Sequence, residues 1–174
     1  IEHAVESPER SLAVVALSDR HAKRISEALA AVRSKEPGLA SFFDPATPEP
    51  FVVIGPQQAL GLTRESLILS VGFAKTPHRR VIHDFGILST EKGADALAEV
   101  LRIVRGDLTL VSSLRSDEID RDRLHHEGSR MLVDLLEIAE GHAGEGMDAW
   151  PVLAGEPDRL LVDLADHLYS RGRE

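Results

Sequence analysis

Residues 51–73 contain two short apolar runs separated by a polar turn, and this spacing constrains the fold more than any other feature. The runs cover residues 51–54 and 67–71 and are rich in valine, isoleucine and leucine. Glycine, proline and polar residues bound both of them. Such runs are typical of strands that are buried on both faces, as in a parallel sheet.

The remaining apolar residues recur either in short runs or at helical spacing. A short side-chain oxygen at Ser18 or Asp19 is suited to cap one helix, and Gly106 is suited to end another in a left-handed conformation. Strands that alternate with helices at these lengths predict an α/β fold with a mostly parallel sheet flanked by helices. We predict further strands at 12–17 and 108–113, and helices at 19–33, 94–105 and 116–140.

Composition excludes several classes of protein. The chain has 174 residues, of which 43% are hydrophobic, and no run approaches the ~20 apolar residues of a membrane span, so we expect no membrane partner. It has no cysteine, which excludes disulfides and thiolate metal sites and agrees with a cytoplasmic location. A net charge of −9 argues against a generally basic surface that binds nucleic acid.

The chain divides into three parts by composition. Residues 1–140 are expected to form one domain, and the glycine-containing stretch 141–156 a linker. Pro157 suits the first position of a helix, and the residues after it place a stripe of apolar side chains on one side of that helix. The stripe consists of Leu160, Leu161, Leu164, Ala165 and Leu168. Because the chain begins at Ile1 and stops after this stripe, we expect a segment of a longer protein.

Residues 74–92 form a long predicted loop that carries five basic or imidazole side chains. Loops longer than ~12 residues inside compact domains are usually functional or disordered. Arginine and lysine on a loop can neutralise the phosphates of a nucleic acid. The alternative is a mobile basic loop without a ligand. The five residues are Lys75, His78, Arg79, Arg80 and His83.

The order and spacing of five segments are similar to those of a known family. Residues 11–140 resemble the second, C-terminal RecA-like domain of superfamily I DNA/RNA helicases, in the group that often continues into a restriction-endonuclease-like domain. The segment 51–73, whose second strand continues the match through 68–77, corresponds to helicase motif V, and 97–113 corresponds to motif VI with its following strand. The segment 11–33 is similar to motif IV. The remaining matching segments are 84–89 and 127–132.

This resemblance implies a three-layer, P-loop NTPase-type fold and a specific function. The domain would close on ATP and Mg²⁺ together with the first RecA-like domain of the same chain, and it would contact DNA or RNA. Residues 157–174 would open a following nuclease-like domain. The sequence has no Walker A or Walker B motif, so the segment alone is expected to bind no cofactor and to be inactive. We also predict no metal site.

The resemblance assigns four residues to the side of the domain that would face ATP. The second arginine of motif VI falls on Arg105, and Arg102 lies one position from the arginine finger, whose own position is held by Ile103. Both arginines are therefore the predicted catalytic residues. Gly61 and Arg64 are the predicted nucleotide-binding residues, and Lys75, His78, Arg79 and Arg80 the predicted nucleic-acid-binding residues.

Three positions depart from the helicase pattern. Leu60 and Thr63 replace the polar groups of motif V, and His21 replaces the glutamine of motif IV. Together with Ile103 these changes favour an alternative, in which a degenerate domain serves as a scaffold for a nuclease-like domain or another protein. A third alternative is an unrelated Rossmann-like regulatory module.

Overall fold

The structure is a computed structural model that describes residues 1–142 and 152–153. Of the predicted linker 141–156, the structure describes residues 141–142 and 152–153, and the predicted start of a following domain, 157–174, lies outside the described residues. The helices are α1 Glu2–Glu6, α2 Asp19–Arg33, α3 Gly93–Leu101 and α4 Glu127–His142. The strands are β1 Leu12–Ala16, β2 Val52–Ile54, β3 Arg64–Ser70, β4 Val104–Val111 and β5 Val152–Leu153.

The five strands form one sheet in the order β2-β1-β3-β4-β5. The first four strands are parallel, and β5 pairs antiparallel with β4 at the edge. The register places Val14 of β1 beside Ile68 of β3, and Ile68 beside Thr109 of β4. The predicted three-layer α/β fold with a mostly parallel sheet flanked by helices is therefore confirmed.

One face of the sheet carries the main hydrophobic core. Alternate residues of the strands, among them Val15, Leu67 and Leu110, point to this face and are almost fully buried. They pack against buried residues of α3 and α4 such as Leu97 and Leu132. Because side chains alternate between the faces of a strand, the residues between them belong to the opposite layer.

Helix α2 forms the opposite layer and contacts β1 and β2. Of the two predicted cap residues, Ser18 is the one that caps the helix: its hydroxyl oxygen accepts a hydrogen bond from the backbone nitrogen of His21. All three residues of β2 are only half-buried, because this strand lies at the edge of the sheet. The prediction of burial on both faces is thus wrong for the first apolar run. No helix among the described residues is long and apolar enough to cross a membrane.

The predicted helix 94–105 ends four residues early. Helix α3 stops at Leu101, and Arg105 and Gly106 lie within β4. The strand begins there because the backbone nitrogen of Arg64 donates a 2.8 Å hydrogen bond to the carbonyl of Ile103. Gly106 does not adopt a positive φ, so it is not the predicted helix stop. The absence of a side chain there instead allows the backbone of Glu65 to approach closely.

The predicted helix 116–140 begins only at Glu127. Two short 3₁₀ turns precede it, at Ser116–Glu118 and Arg121–Arg123. Side chains hold them against α4, because Arg121 donates to the carboxylate of Asp134 at 2.7 Å and Glu140 accepts from the backbone nitrogen of Ser116 at 2.8 Å. Tertiary hydrogen bonds therefore override the helical periodicity of this segment.

Helices α3 and α4 approach one another closely at two glycines. A Cβ atom on Gly128 would overlap the backbone of Gly93, and one on Gly93 would overlap the backbone of Leu88. Ser129 reinforces the contact by donating a 3.0 Å hydrogen bond to the carbonyl of Leu88. The start of α4 therefore needs a residue without a side chain.

We expect Gly128→Ala to destabilise the protein by about 1–3 kcal/mol, because overpacking at a closed contact forces the backbone apart. Gly141→Ala in the same helix is the matched control, since a Cβ atom there meets nothing within 4 Å. Alanine is the better helix former, so this control should leave stability unchanged or raise it by up to about 1 kcal/mol. Denaturant unfolding measures both, and equal stability of the two variants would contradict the contact.

Candidate functional site

The carboxyl-terminal ends of β1 and β3 flank a topological switch point. After β1 the chain passes through α2 on one face, whereas after β3 it reaches α3 on the other face. In open doubly wound sheets, ligands bind in the crevice outside the strand ends at this position. The end of the sheet where β1, β3 and β4 finish is here called the carboxyl edge, and the end where they begin is called the amino edge.

His21 lies at this switch point. Its Nε2 atom forms a 2.9 Å hydrogen bond with the hydroxyl of Ser70, the last residue of β3. Gly72 follows with a φ of +69°, and a Cβ atom on it would lie 2.6 Å from the His21 ring. Glycine is thus required at position 72 for both its backbone angle and its size. The imidazole lies against the turn that a ligand in this crevice would have to approach.

The predicted basic loop contains a closed turn at the carboxyl edge, residues 76–80, here called the basic turn. The backbone nitrogen of Thr76 donates to the carbonyl of Arg80 at 2.9 Å, and that of Arg79 donates to the carbonyl of Thr76 at 2.8 Å. The hydroxyl of Thr76 also accepts from the nitrogen of Arg80 at 3.2 Å. Arg79 has a φ of +59°, a left-handed conformation that is uncommon for a residue with a side chain.

The structure divides the predicted nucleic-acid-binding residues into two groups. Lys75 forms an ion pair with Glu118, and the Lys75 ammonium, as hydrogen-bond donor, lowers the pKa of that carboxyl. His78, Arg79 and Arg80 are exposed, and their side chains have no hydrogen bond or ion pair to any other described residue. The basic turn therefore presents two free guanidinium groups and one imidazole to solvent.

His83 follows the basic turn but faces the protein. The backbone nitrogen of Asp120 donates a 3.1 Å hydrogen bond to its Nε2 atom, so the ring proton of the neutral form resides on Nδ1. The Nδ1 atom is buried and has no partner among the described residues. His83 therefore joins the loop to Asp120, between the 3₁₀ turns Ser116–Glu118 and Arg121–Arg123, rather than extending the exposed basic surface.

Arg105, a predicted catalytic residue, lies at the amino edge. Its two terminal nitrogens donate to the two carboxylate oxygens of Glu49 at 2.7 and 2.9 Å, and one of them also donates to the hydroxyl of Thr63 at 3.1 Å. The same carboxylate accepts from the hydroxyl of Ser11. The hydrogen bond from Arg105 has the largest effect on the pKa of Glu49, and the one from Ser11 has the second largest. Together they lower this pKa to about 2.

Arg64, a predicted nucleotide-binding residue, lies beside this pair and is almost fully buried. Its guanidinium donates to the carbonyl of Pro50 at 3.1 and 2.6 Å and to the carbonyl of Thr63 at 2.7 Å. Burial lowers the pKa of Arg64. The side chain thus closes the amino edge by saturating backbone carbonyls, an arrangement that leaves no surface for a phosphate.

The other predicted nucleotide-side residues lie just before β3 and β4, at the same amino edge. Arg102 precedes β4 and forms an exposed ion pair with Glu99, and Ile103, in the arginine-finger position, is fully buried. Gly61 precedes β3, with a φ of +75° and open space around it. The structure therefore does not bring Arg102, Arg105 or Arg64 together with the basic turn.

A cavity of about 400 Å³ also opens at the amino edge. Three of its four charged lining residues, Arg10, Glu49 and Glu65, are already engaged within the protein, and the fourth, Glu9, is exposed. Arg10 pairs with Asp107, and the carboxylate of Glu65 accepts from the backbone nitrogen of Ser11 at 3.2 Å. Sequence reasoning missed Glu49, which lies between two prolines in a predicted connecting loop and has no motif around it.

No protein-family model matches this chain, and no curated protein or solved structure does either. Among the described residues, no group of three or more histidine, aspartate or glutamate side chains is placed to hold a metal ion. The order β2-β1-β3-β4 is common to doubly wound sheets with different ligands. Function has to be inferred from the side chains at the two edges.

The lowered pKa of Glu49 predicts a specific pH dependence of stability. Because the folded-state pKa of about 2 is below the ordinary 4.5, the stabilisation is complete above the ordinary value and is lost as pH falls towards 2. We expect Glu49→Gln to lower the free energy of unfolding at pH 7, with the difference from wild type shrinking between those two pH values. Solvent exposure of the pair keeps the effect small.

Glu91→Gln is the control for this measurement, because Glu91 is exposed and its side chain has no partner among the described residues. Denaturant unfolding of wild type and both variants across this pH range checks the expectation. A Glu49→Gln difference that stays constant with pH would refute an ionised Glu49 as the source of the stability.

Proposed function

We propose that this domain is a RecA-like domain of a helicase-like protein and that it contacts DNA or RNA through the basic turn. The observation that carries the proposal is the closed conformation of residues 76–80, which holds His78, Arg79 and Arg80 free in solvent at the carboxyl edge. The parallel sheet agrees with the proposed class but does not distinguish it from other doubly wound folds.

The chemistry of the basic turn suits phosphate. Guanidinium groups donate paired hydrogen bonds to phosphate oxygens, and two arginines on a short turn can contact neighbouring phosphates of one strand. The left-handed backbone of Arg79 costs free energy, and such strain is concentrated at binding sites. The net charge of −9 repels nucleic acid from the rest of the surface, so any contact must be local and weakened by salt.

The nucleotide side of the proposal has less support than the nucleic-acid side. Within a longer protein the domain would close on ATP and Mg²⁺ with a first RecA-like domain. Arg105 is held by Glu49, however, and Ile103 is buried. These two observations favour the second candidate function, in which a degenerate helicase domain contributes no arginine to ATP hydrolysis and acts as a scaffold for a downstream nuclease-like domain.

We expect the double variant Arg79→Ala, Arg80→Ala to bind a labelled single-stranded oligonucleotide about tenfold more weakly than wild type at ~50 mM salt. Each arginine that neutralises a phosphate of a single strand changes the slope of log affinity against log salt by about 0.7, so the magnitude of this slope should fall by about 1.4. Fluorescence anisotropy with DNA and RNA of equal length measures both quantities.

The matched control is Lys35→Ala, Arg102→Ala, which removes two exposed charges outside the basic turn. It should leave the affinity and the salt slope close to those of wild type. Equal losses of affinity in the two double variants would show that net charge alone accounts for the effect. If the wild type did not bind at ~50 mM salt, the proposed contact would be wrong.

A second experiment separates the two candidate functions on the nucleotide side. In a longer protein that also contains the first RecA-like domain, we expect Arg102→Ala and Arg105→Ala to leave ATP turnover within about twofold of wild type. An arginine finger contributes ~10³–10⁵ in rate, so a loss of that size in either variant would establish a nucleotide role. Ile103→Arg is unsuitable as a test, because a charge at a fully buried position would unfold the core.

A further inference from the structure

A large groove lies on the face of the sheet opposite the main core. It has a volume of about 610 Å³. The inner side of α2 forms one wall, α1 and the rings of Phe42, Phe43 and Phe51 line the groove as well, and the floor is formed by β1, β3 and β4. The residues that define its apolar surface are Ile25, Leu29, Ile68, Thr109 and Val111.

The floor of the groove is less buried than the other face of the same strands. Ile68, Thr109 and Val111 are only half-buried, whereas Leu69 and Leu110, which point to the opposite face, are almost fully buried. Helix α2 contacts β1 and β2 and does not extend over β4. Among the described residues, α2 and the five-residue α1 are the helices that line the groove, and together they leave the floor over β3 and β4 only half-buried.

Strand β5 brings the chain to the rim of this groove. Val152 pairs with Thr109, and Leu153 pairs with Leu108. Because β5 is antiparallel to β4, the chain leaves it travelling towards the amino edge. A segment that then turned back would run along the groove towards the carboxyl edge, parallel to β4.

The sequence after β5 has the length and the pattern to fill the groove. Only three residues separate Leu153 from Pro157, which is an ordinary length for a strand–helix connection. A helix of residues 157–169 would be about 20 Å long at 1.5 Å per residue, while β4 spans about 26 Å at 3.3 Å per residue. Its apolar stripe would face the sheet, and Asp163 and Asp166 would face solvent.

We propose that residues 157–169 form a helix that packs into this groove and completes the second layer of the domain. The segment would then be part of this domain, in contrast to the predicted start of a following nuclease-like domain. The proposal does not depend on the proposed function, because it concerns only packing.

Disulfide trapping in the full chain tests the proposal, and the absence of native cysteine makes the result unambiguous. Thr109→Cys places a thiol on the groove floor. We would pair it in turn with Leu161→Cys, Leu164→Cys and Leu168→Cys on the stripe. A disulfide needs Cα atoms within about 7 Å, so at least one pair should oxidise about tenfold faster than the control, measured by mass spectrometry at low protein concentration.

The matched control is Thr109→Cys with Asp166→Cys, which lies on the opposite side of the same helix. Equal oxidation of all the pairs, or of none, would overturn the proposal. Disulfides between two chains in place of intramolecular ones would also overturn it, because they would assign the groove to a second copy.

Thermal unfolding gives an independent check on folding of the segment. Leu164→Ala should lower the melting temperature by about 5 °C or more, as expected for a buried leucine in a chain of this size, and Asp166→Ala should not change it. An unchanged melting temperature in both variants would place the stripe outside the packed domain.

Discussion

The pairing of β3 with β1 on one side and with β4 on the other is the interaction on which the rest of the structure depends. It places Leu67 and Leu69 in the centre of a core closed by α3 and α4. It also sets the positions of both edges. At one end the pairing brings Ser11 and Arg105 to the carboxylate of Glu49 and Thr63 to Arg105, and at the other it brings Ser70 to His21. Both polar clusters are therefore consequences of strand register.

The two edges differ in the way their charges are used. At the amino edge, Arg64 and Arg105 are occupied by backbone carbonyls and by Glu49, so these arginines hold the starts of strands together. At the carboxyl edge, the basic turn leaves Arg79 and Arg80 without partners among the described residues. A free cation on an ordered turn is available to a ligand, whereas a cation in a closed cluster must first lose its protein partners. This contrast supports a nucleic-acid role more than a nucleotide role.

The sequence predicted the strand–helix alternation and the Ser18 cap, because periodicity and local capping chemistry determine them. It misplaced the ends of the helices predicted at 94–105 and 116–140, where hydrogen bonds between distant segments decide the outcome. At the candidate site, the long loop predicted at 74–92 already contained Arg79 and Arg80, which the structure shows to be exposed. The Glu49 cluster could not be predicted, because it depends on the register of three strands and on a loop with no periodic pattern.

The bidentate pair of Glu49 and Arg105 joins the long connection before β2 to the start of β4, across the intervening strands β1 and β3. Without Arg105, the Glu49 carboxylate would keep the hydroxyl of Ser11 as its donor. Without Glu49, Arg105 would keep only Thr63 as its acceptor and would still repel Arg64. A substitution at one of the two positions therefore changes which residues are tolerated at the other. Among relatives of this chain they should therefore change together, in the manner of co-varying contacts, even while the loop around Glu49 diverges freely.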